Sequence, residues 1–233
     1  GSAMVAATDL AERIATVRQR VADAARAAGR DPDEVAIVAV SKTVGREAVD
    51  EAYRLGVRRF GENRVQAAAA KFAEPLPADA ALHLIGHLQS NKARTAARLF
   101  DLIESVDRLS VIDALEREGA RLDRPIPVLL QVNLAREPQK AGCPPEAAAD
   151  LAVRIAGADW LDLRGLMTIA PLVADPEATR PVFAGLRRLR DELQRAQPAL
   201  RLERLSMGMT NDFPIAIAEG ATEVRIGRAI FGG

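Results

Sequence analysis

Residues 35–43 read Val-Ala-Ile-Val-Ala-Val-Ser-Lys-Thr: six apolar residues, then an abrupt change to hydroxyl, amine and hydroxyl. An apolar, largely β-branched run bounded in this way reads as a strand buried on both faces. Strands of that kind belong to parallel sheets covered by helices. Downstream, a helical pattern runs to Leu55 and Gly56, completing a strand–loop–helix unit. Upstream, Leu10, Ile14, Val17 and Val21 recur at three-to-four spacing across residues 9–28 and stop at Gly29. That predicts an extra N-terminal amphipathic helix.

The unit then repeats. Strands are expected at residues 58–61, 82–88, 102–106, 128–134, 161–169, 202–207 and 223–230, with helices ending near Phe72, Leu99, Gly119, Gly157, Gln197 and Gly220. Eight near-equal units of roughly 28 residues, with no Pro/Gly-rich linker, fit a closed (β/α)8 TIM barrel better than an open doubly wound sheet. Residues 4–233 form one expected domain, and Gly1 to Ala3 ahead of Met4 read as a cloning scar.

Composition narrows the function classes. The 32 basic residues balance 32 acidic ones, and aromatics make up only 3% of the chain, so neither a polyanion-steering field nor a base-stacking surface is expected. Nucleic acid is therefore not an expected partner. Cys143 is the only cysteine, which rules out an internal disulfide and fits a reducing compartment, the cytoplasm. No apolar run approaches the ~20 residues a membrane span needs. The absence of an obvious apolar surface stripe points to a monomer.

In such a barrel, chemistry sits at the C-terminal strand ends. Those ends offer Lys42, Glu62 and Asn63, His87 with Gln89 and Ser90, Ser105 and Asp107, Asn133, Met167 and Thr168, then Ser206 to Met209, and finally Arg225, Gly227 and Arg228. Lysine accounts for only four of the 32 basic residues, at positions 42, 71, 92 and 140. Where charge alone suffices this chain uses arginine; only an amine forms an imine with a carbonyl, so Lys42 invites covalent chemistry. Burial beside Val38 and Val40, or a cation such as Arg225, would have to depress its pKa. A plain rim lysine fits the same feature.

Ser206-Met207-Gly208-Met209-Thr210-Asn211 and Arg225-Ile226-Gly227-Arg228 follow the last two strands, where barrels commonly hold phosphate. Gly208 and Gly227 equally fit simple barrel packing. Glu223, Arg225 and Gly227 share one strand face, which turns Arg225 toward the barrel mouth, free to meet a ring nitrogen, a phosphate or a carboxylate. His83 and His87, four apart on an expected strand, read as hydrogen-bonded barrel histidines rather than metal ligands.

An imine-capable lysine after strand one and an anion cradle after strands seven and eight is an arrangement suited to pyridoxal 5′-phosphate. The segments AVSKTV (39–44), FGENRVQ (60–66), LHLIGHLQSNKAR (82–94), IESVDR (103–108), QVNLAREPQKAGC (131–143), RGLMTIAP (164–171), LSMGMTNDF (205–213) and VRIGRAIFG (224–232) closely resemble the pyridoxal phosphate homeostasis protein family. The resemblance implies that Lys42 holds the cofactor as an aldimine with Asn63 beside it. Ser206, Met207, Gly227 and the Arg228 backbone would hold phosphate, and Arg225 would face the pyridine nitrogen. Lys140 matches a family lysine with a secondary role in cofactor handling. Arg228 and Thr210 depart from the family's usual small hydroxyl residue and serine. The implied role is cofactor buffering or delivery, with apoenzymes that use it as partners and little or no turnover. The alternative is an amino-acid racemase, which in the resembling class needs a tyrosine opposite the lysine; the only tyrosine, Tyr53, falls in the helix after strand one.

Overall fold

The computed structural model describes residues 2–138 and 140–233, with side chains from residue 9 onward. Eight parallel strands close in sequence order: β1 (Ala36–Val40), β2 (Arg59–Glu62), β3 (Ala81–Leu84), β4 (Leu102–Val106), β5 (Ile126–Gln131), β6 (Leu161–Met167), β7 (Arg204–Ser206) and β8 (Glu223–Ile226). Pairing of β1 with β8, Val38 against Arg225, seals the barrel. The helices are α1 (Ser2–Ala27), α2 (Arg46–Arg54), α3 (Val65–Lys71), α4 (Ala93–Leu99), α5 (Leu109–Leu122), α6 (Ala148–Ala156), α7 (Arg180–Ala196), α8 (Phe213–Ala218) and α9 (Arg228–Phe231). Gly1 lies outside the described residues, while Ser2 and Ala3 already belong to α1.

The closed barrel matches the expected fold, with local corrections. Strand three stops at Leu84 rather than residue 88, because the chain turns at Gly86 against the Asn63 peptide, where an added Cβ would lie 2.1 Å from Asn63 O. His87 is therefore off the strand and exposed, and does not share a face with His83. Strand eight ends at Ile226, and residues 228–231 form a helical turn instead. Helix α5 runs through Gly119 to Leu122: Gly119 is a close-approach site, its would-be Cβ 2.5 Å from Trp160 O.

Alternation along the strands separates two interiors. Val224, Ile226, Leu205, Ile103 and Phe60 point outward into one continuous apolar layer beneath the helices. Helix α1 joins that layer through Leu10, Ile14, Val17, Val21 and Ala25, and Arg13 Nε donates to Ile230 O at 2.7 Å. Each such buried aliphatic side chain contributes at most about 1.5–3 kcal/mol. Inward, Leu102, Leu129 and Met167 fill one side of the lumen. The other side is polar.

Candidate functional site

Lys42 leaves the end of β1 on a clamped segment. The Ser41 N–H donates to Gly61 O at 3.0 Å, its hydroxyl donates to Glu62 Oε2 at 2.5 Å, and Lys71 Nζ binds both Ser41 O (2.6 Å) and Glu62 Oε2 (3.0 Å). Three elements thus fix the residue preceding Lys42. The lysine itself is exposed, not buried beside Val38 and Val40. It lines a cleft of about 500 Å³ together with Lys140, Asn211, Gly227 and Arg228. The rim is apolar: Ile169, Leu172 and Met209 are exposed there, Leu172 by 83%.

The wall beside Lys42 is built by the loops after β7 and β8. Gly208 takes φ +103°, and a Cβ there would fall 2.7 Å from Ala216 Cβ, so only glycine turns the chain at this point. Asp212 Oδ1 accepts the Met209 N–H at 2.7 Å, while Met209 O accepts from Asp212 and Phe213. Burial pushes the Asp212 carboxyl above the usual range. With this turn closed, the N–H groups of Thr210, Asn211, Gly227 and Arg228 have no acceptor among the described residues. Thr210 and Gly227 are half-buried and Asn211 and Arg228 exposed, so these amides stand open at the cleft, where an anion can supply an acceptor. Arg228 Nη2 crosses the wall to Asn211 Oδ1 at 2.7 Å.

Beneath the cleft lies the polar half of the lumen. Arg225 is buried; its Nη1 donates to Ser206 Oγ (2.5 Å) and its Nη2 to Thr168 O (2.9 Å). Ser206 in turn donates to Glu104 Oε1 at 2.5 Å, and Glu104 Oε2 meets His83 Nδ1 at 2.7 Å. Glu223 Oε1 stands 3.5 Å from the same nitrogen, and Glu223 Oε2 has no hydrogen-bond partner among the described residues. Burial alone would lower His83, but the charge of Glu223 and the bonds to both carboxylates outweigh it and raise the imidazole to about 9. Burial, then the charge of Glu223, raises Glu104 to about 7. Glu223 is held well below the carboxylate range, because Glu104 and His83 together outweigh its burial.

The other expected site residues are placed as follows. The Val40–Gly61 register sets Lys42 and Asn63 side by side as their strands end, yet Asn63 lines a neighbouring cleft of about 420 Å³ with Arg64, His87, Gln89 and Lys92. Met207 is buried in the outer apolar layer, and its N–H is taken by Glu223 O. Ser206 directs its hydroxyl into the lumen rather than the cleft. The expected residue at the end of β4 is Ser105, whereas it is Glu104, inside the strand, that faces the lumen; a carboxylate among Leu102, Ile103 and Val106 is the available signal. His83, Glu104 and Glu223 also stand close enough together to enclose an ion, but their charges are already matched by Arg225 and His83. Cys143 is buried, and burial followed by the charge of Asp107 pushes its thiol up to about 12, so it offers no nucleophile.

A closed parallel barrel with its cleft at the strand C-termini defines a class, and the chain matches the family model for the N-terminal domain of alanine racemase over residues 13–233. It is 45% identical over 223 residues to the pyridoxal phosphate homeostasis protein of Pseudomonas aeruginosa, covering 96% of this chain and 95% of that one. The protein of that name from Aquifex aeolicus is 39% identical over 221 residues, covering 95% and 96%. PipY of Synechococcus elongatus, solved with PLP bound, superposes with a TM-score of 0.85 at 43% identity, covering 96% of this chain and all of that one. The chain belongs to the pyridoxal phosphate homeostasis protein family.

Proposed function

We propose that this protein binds pyridoxal 5′-phosphate in the Lys42 cleft and buffers or delivers it inside the cell, with little or no catalytic turnover. The observation that carries the reading is one cleft holding both a primary amine, on Lys42, and four backbone N–H groups without acceptors among the described residues. The donor set suits the cofactor's two reactive ends. A Cβ on Gly227 would fall 3.3 Å from Val40 Cβ, so a larger residue would crowd the floor of this cradle. When bound, pyridoxal 5′-phosphate supplies an aldehyde that condenses reversibly with an amine and releases water.

Lys42 provides that amine; Gly227, Arg228, Thr210 and Asn211 direct N–H groups to the phosphate. Ser206 and Met207 support the cradle from beneath, and Asn63 flanks Lys42 from the next strand. Arg225 only donates hydrogen bonds, so a ring nitrogen facing it stays unprotonated and the ring remains a weak electron sink. Lys140, exposed on the same cleft, receives or releases the cofactor. Apoenzymes that use the cofactor dock against the apolar rim. The working unit is one domain, residues 4–233, acting as a cytoplasmic monomer; among the described residues no helix is long and apolar enough to cross a membrane.

Low turnover is supported by where the tyrosine lies. Tyr53 sits in the last turn of α2 and donates to Asp79 at 2.6 Å, ahead of β3 and so at the opposite end of the barrel from Lys42. Without a second positioned acid or base, proton transfer forgoes typically 10²- to 10⁴-fold. Titration of the purified protein with pyridoxal 5′-phosphate tests the reading. A visible band should form in wild type and vanish in Lys42→Ala, and borohydride should trap the adduct on the Lys42 peptide. A band of equal strength in Lys42→Ala would sink the assignment. Rapid solvent deuterium exchange at an amino acid's Cα would overturn the claim of low turnover.

A further inference from the structure

The lumen holds more ionisable groups than packing requires, and they are ordered. Arg225 on β8 can only donate, so Ser206 on β7 must accept from it and give its own single hydrogen elsewhere. Glu104 on β4 takes that hydrogen at 2.5 Å, and its second oxygen is engaged by His83 on β3 at 2.7 Å. With Glu104 ionised, the direction of donation is therefore fixed along the whole chain. Thr168 O anchors Arg225 through its other terminal nitrogen. Two acceptors on different nitrogens define the plane of a guanidinium; one does not.

We infer that Glu104 and His83 are positioning residues for the cofactor cleft: acting through Ser206, they lock the guanidinium of Arg225 in one plane beneath it. This rests on the proposed cofactor only for which ligand feels the effect. Glu223 faces His83 at 3.5 Å and also lies beside Ser206 and Glu104, but it makes no hydrogen bond to Arg225 among the described residues, and Asp212, in the loop above, gives its Oδ1 to the Met209 N–H. Leu102, Leu129 and Met167, which share the lumen, are apolar, and the buried Gln131 on β5 makes no hydrogen bond to Arg225 among the described residues. Glu62 on β2 is committed to Ser41 and Lys71. Two cations and two carboxylates balance in the lumen above about pH 7, where Glu104 loses its proton, and below about 9, where His83 loses its own.

The test uses the cofactor-free protein first. In 15N-arginine-labelled protein, the Arg225 Nε–H signal is assigned by its absence in Arg225→Lys. In wild type it should be rigid on the fast timescale, with the His83 imidazole titrating near 9. Ser206→Ala should loosen Arg225 yet leave the His83 titration in place. Glu104→Gln, which keeps an acceptor for Ser206 but loses the charge that strengthens that bond, should loosen Arg225 in part and bring the His83 titration down by at least about one unit. Pyridoxal 5′-phosphate should then bind roughly ten- to a hundredfold more weakly to both variants, the loss expected for a charge-assisted hydrogen bond. Glu116→Gln, on exposed α5, should change none of these readouts. An Arg225 signal equally rigid in wild type, Ser206→Ala and Glu104→Gln overturns the inference, whether or not the cofactor binds. If Glu104→Gln does not fold, Ser206→Ala alone decides. A wild type that binds no pyridoxal 5′-phosphate overturns the proposed function and leaves the Arg225 measurement to judge this one.

Discussion

The barrel wall divides two interiors that solve burial in opposite ways. Outside it, Phe60, Phe183, Phe213, Leu186 and Ile226 form a layer in which nothing needs a partner, so stability follows apolar area and packing. Inside it, His83, Glu104, Glu223 and Arg225 are desolvated ions, tolerable only because each faces its complement. Charge of that kind is weak evidence for stability and stronger evidence for a fixed geometry. The contrast places the source of folding energy in the shell and the orientation of the mouth in the lumen.

The largest effect should therefore come from the shell. Phe183, on the inner face of α7, is fully buried, and Phe183→Ala should cost about 3–5 kcal/mol, read as a lower denaturant midpoint in chemical unfolding. A loss below about 1 kcal/mol would mean that the shell is loosely packed and that the contrast fails. The lumen should show itself next, through pH. His83 is raised from 6.5 to about 9, so its contribution is fully present below pH 6.5 and is lost as pH rises through 9. Complete linkage would amount to about 3 kcal/mol. Glu104, raised to about 7, adds a loss at lower pH, whereas the depressed Glu223 adds stability above the ordinary carboxylate range that disappears in acid. Between pH 7.5 and 9 the wild-type slope should be negative, and His83→Gln, less stable throughout, should flatten it. An equally steep slope in His83→Gln would place the titrating group elsewhere.

The shell was legible in the sequence and the lumen largely was not. Residues 35–40 announce themselves as a strand because every neighbour demands burial, and residues 102–106 do so through Leu102, Ile103 and Val106 despite Glu104 and Ser105. Strand β5 starts at Ile126, earlier than expected, because Pro127 reads as a boundary although the apolar residues around it continue the strand. Lys42 could be found because lysine is rare in this chain, and the glycines after β7 and β8 because an anion cradle needs backbone access. Glu104 escaped because barrel sites are sought at strand ends, and it sits two residues inside one. Ser206 was legible as a site residue but its role was not: the direction in which a hydroxyl donates depends on Glu104 and Arg225, which are remote in sequence and meet only when the barrel closes. Asn63 shows the same limit, since register sets it beside Lys42 while the turn at Gly86 draws it into the adjoining cleft.

A third setting for charge sharpens the comparison, and it should give the smallest effect. Arg154 on α6 reaches Asp113 Oδ1 at 2.9 Å and Glu116 Oε2 at 2.7 Å, both on α5, with 38% of its side chain exposed. Its pKa is raised, chiefly by the Glu116 hydrogen bond, but water screens the pair and three flexible side chains lose rotamer freedom to form it. Arg154→Ala should therefore cost less than about 1 kcal/mol, and the cost should shrink further at high salt. A thermal melt of the two proteins at low and at 1 M salt reads both quantities. If Arg154→Ala instead cost as much as Phe183→Ala and kept that cost in salt, exposed ions would be carrying the fold, and burial would no longer be what distinguishes the lumen's charges from those on the surface.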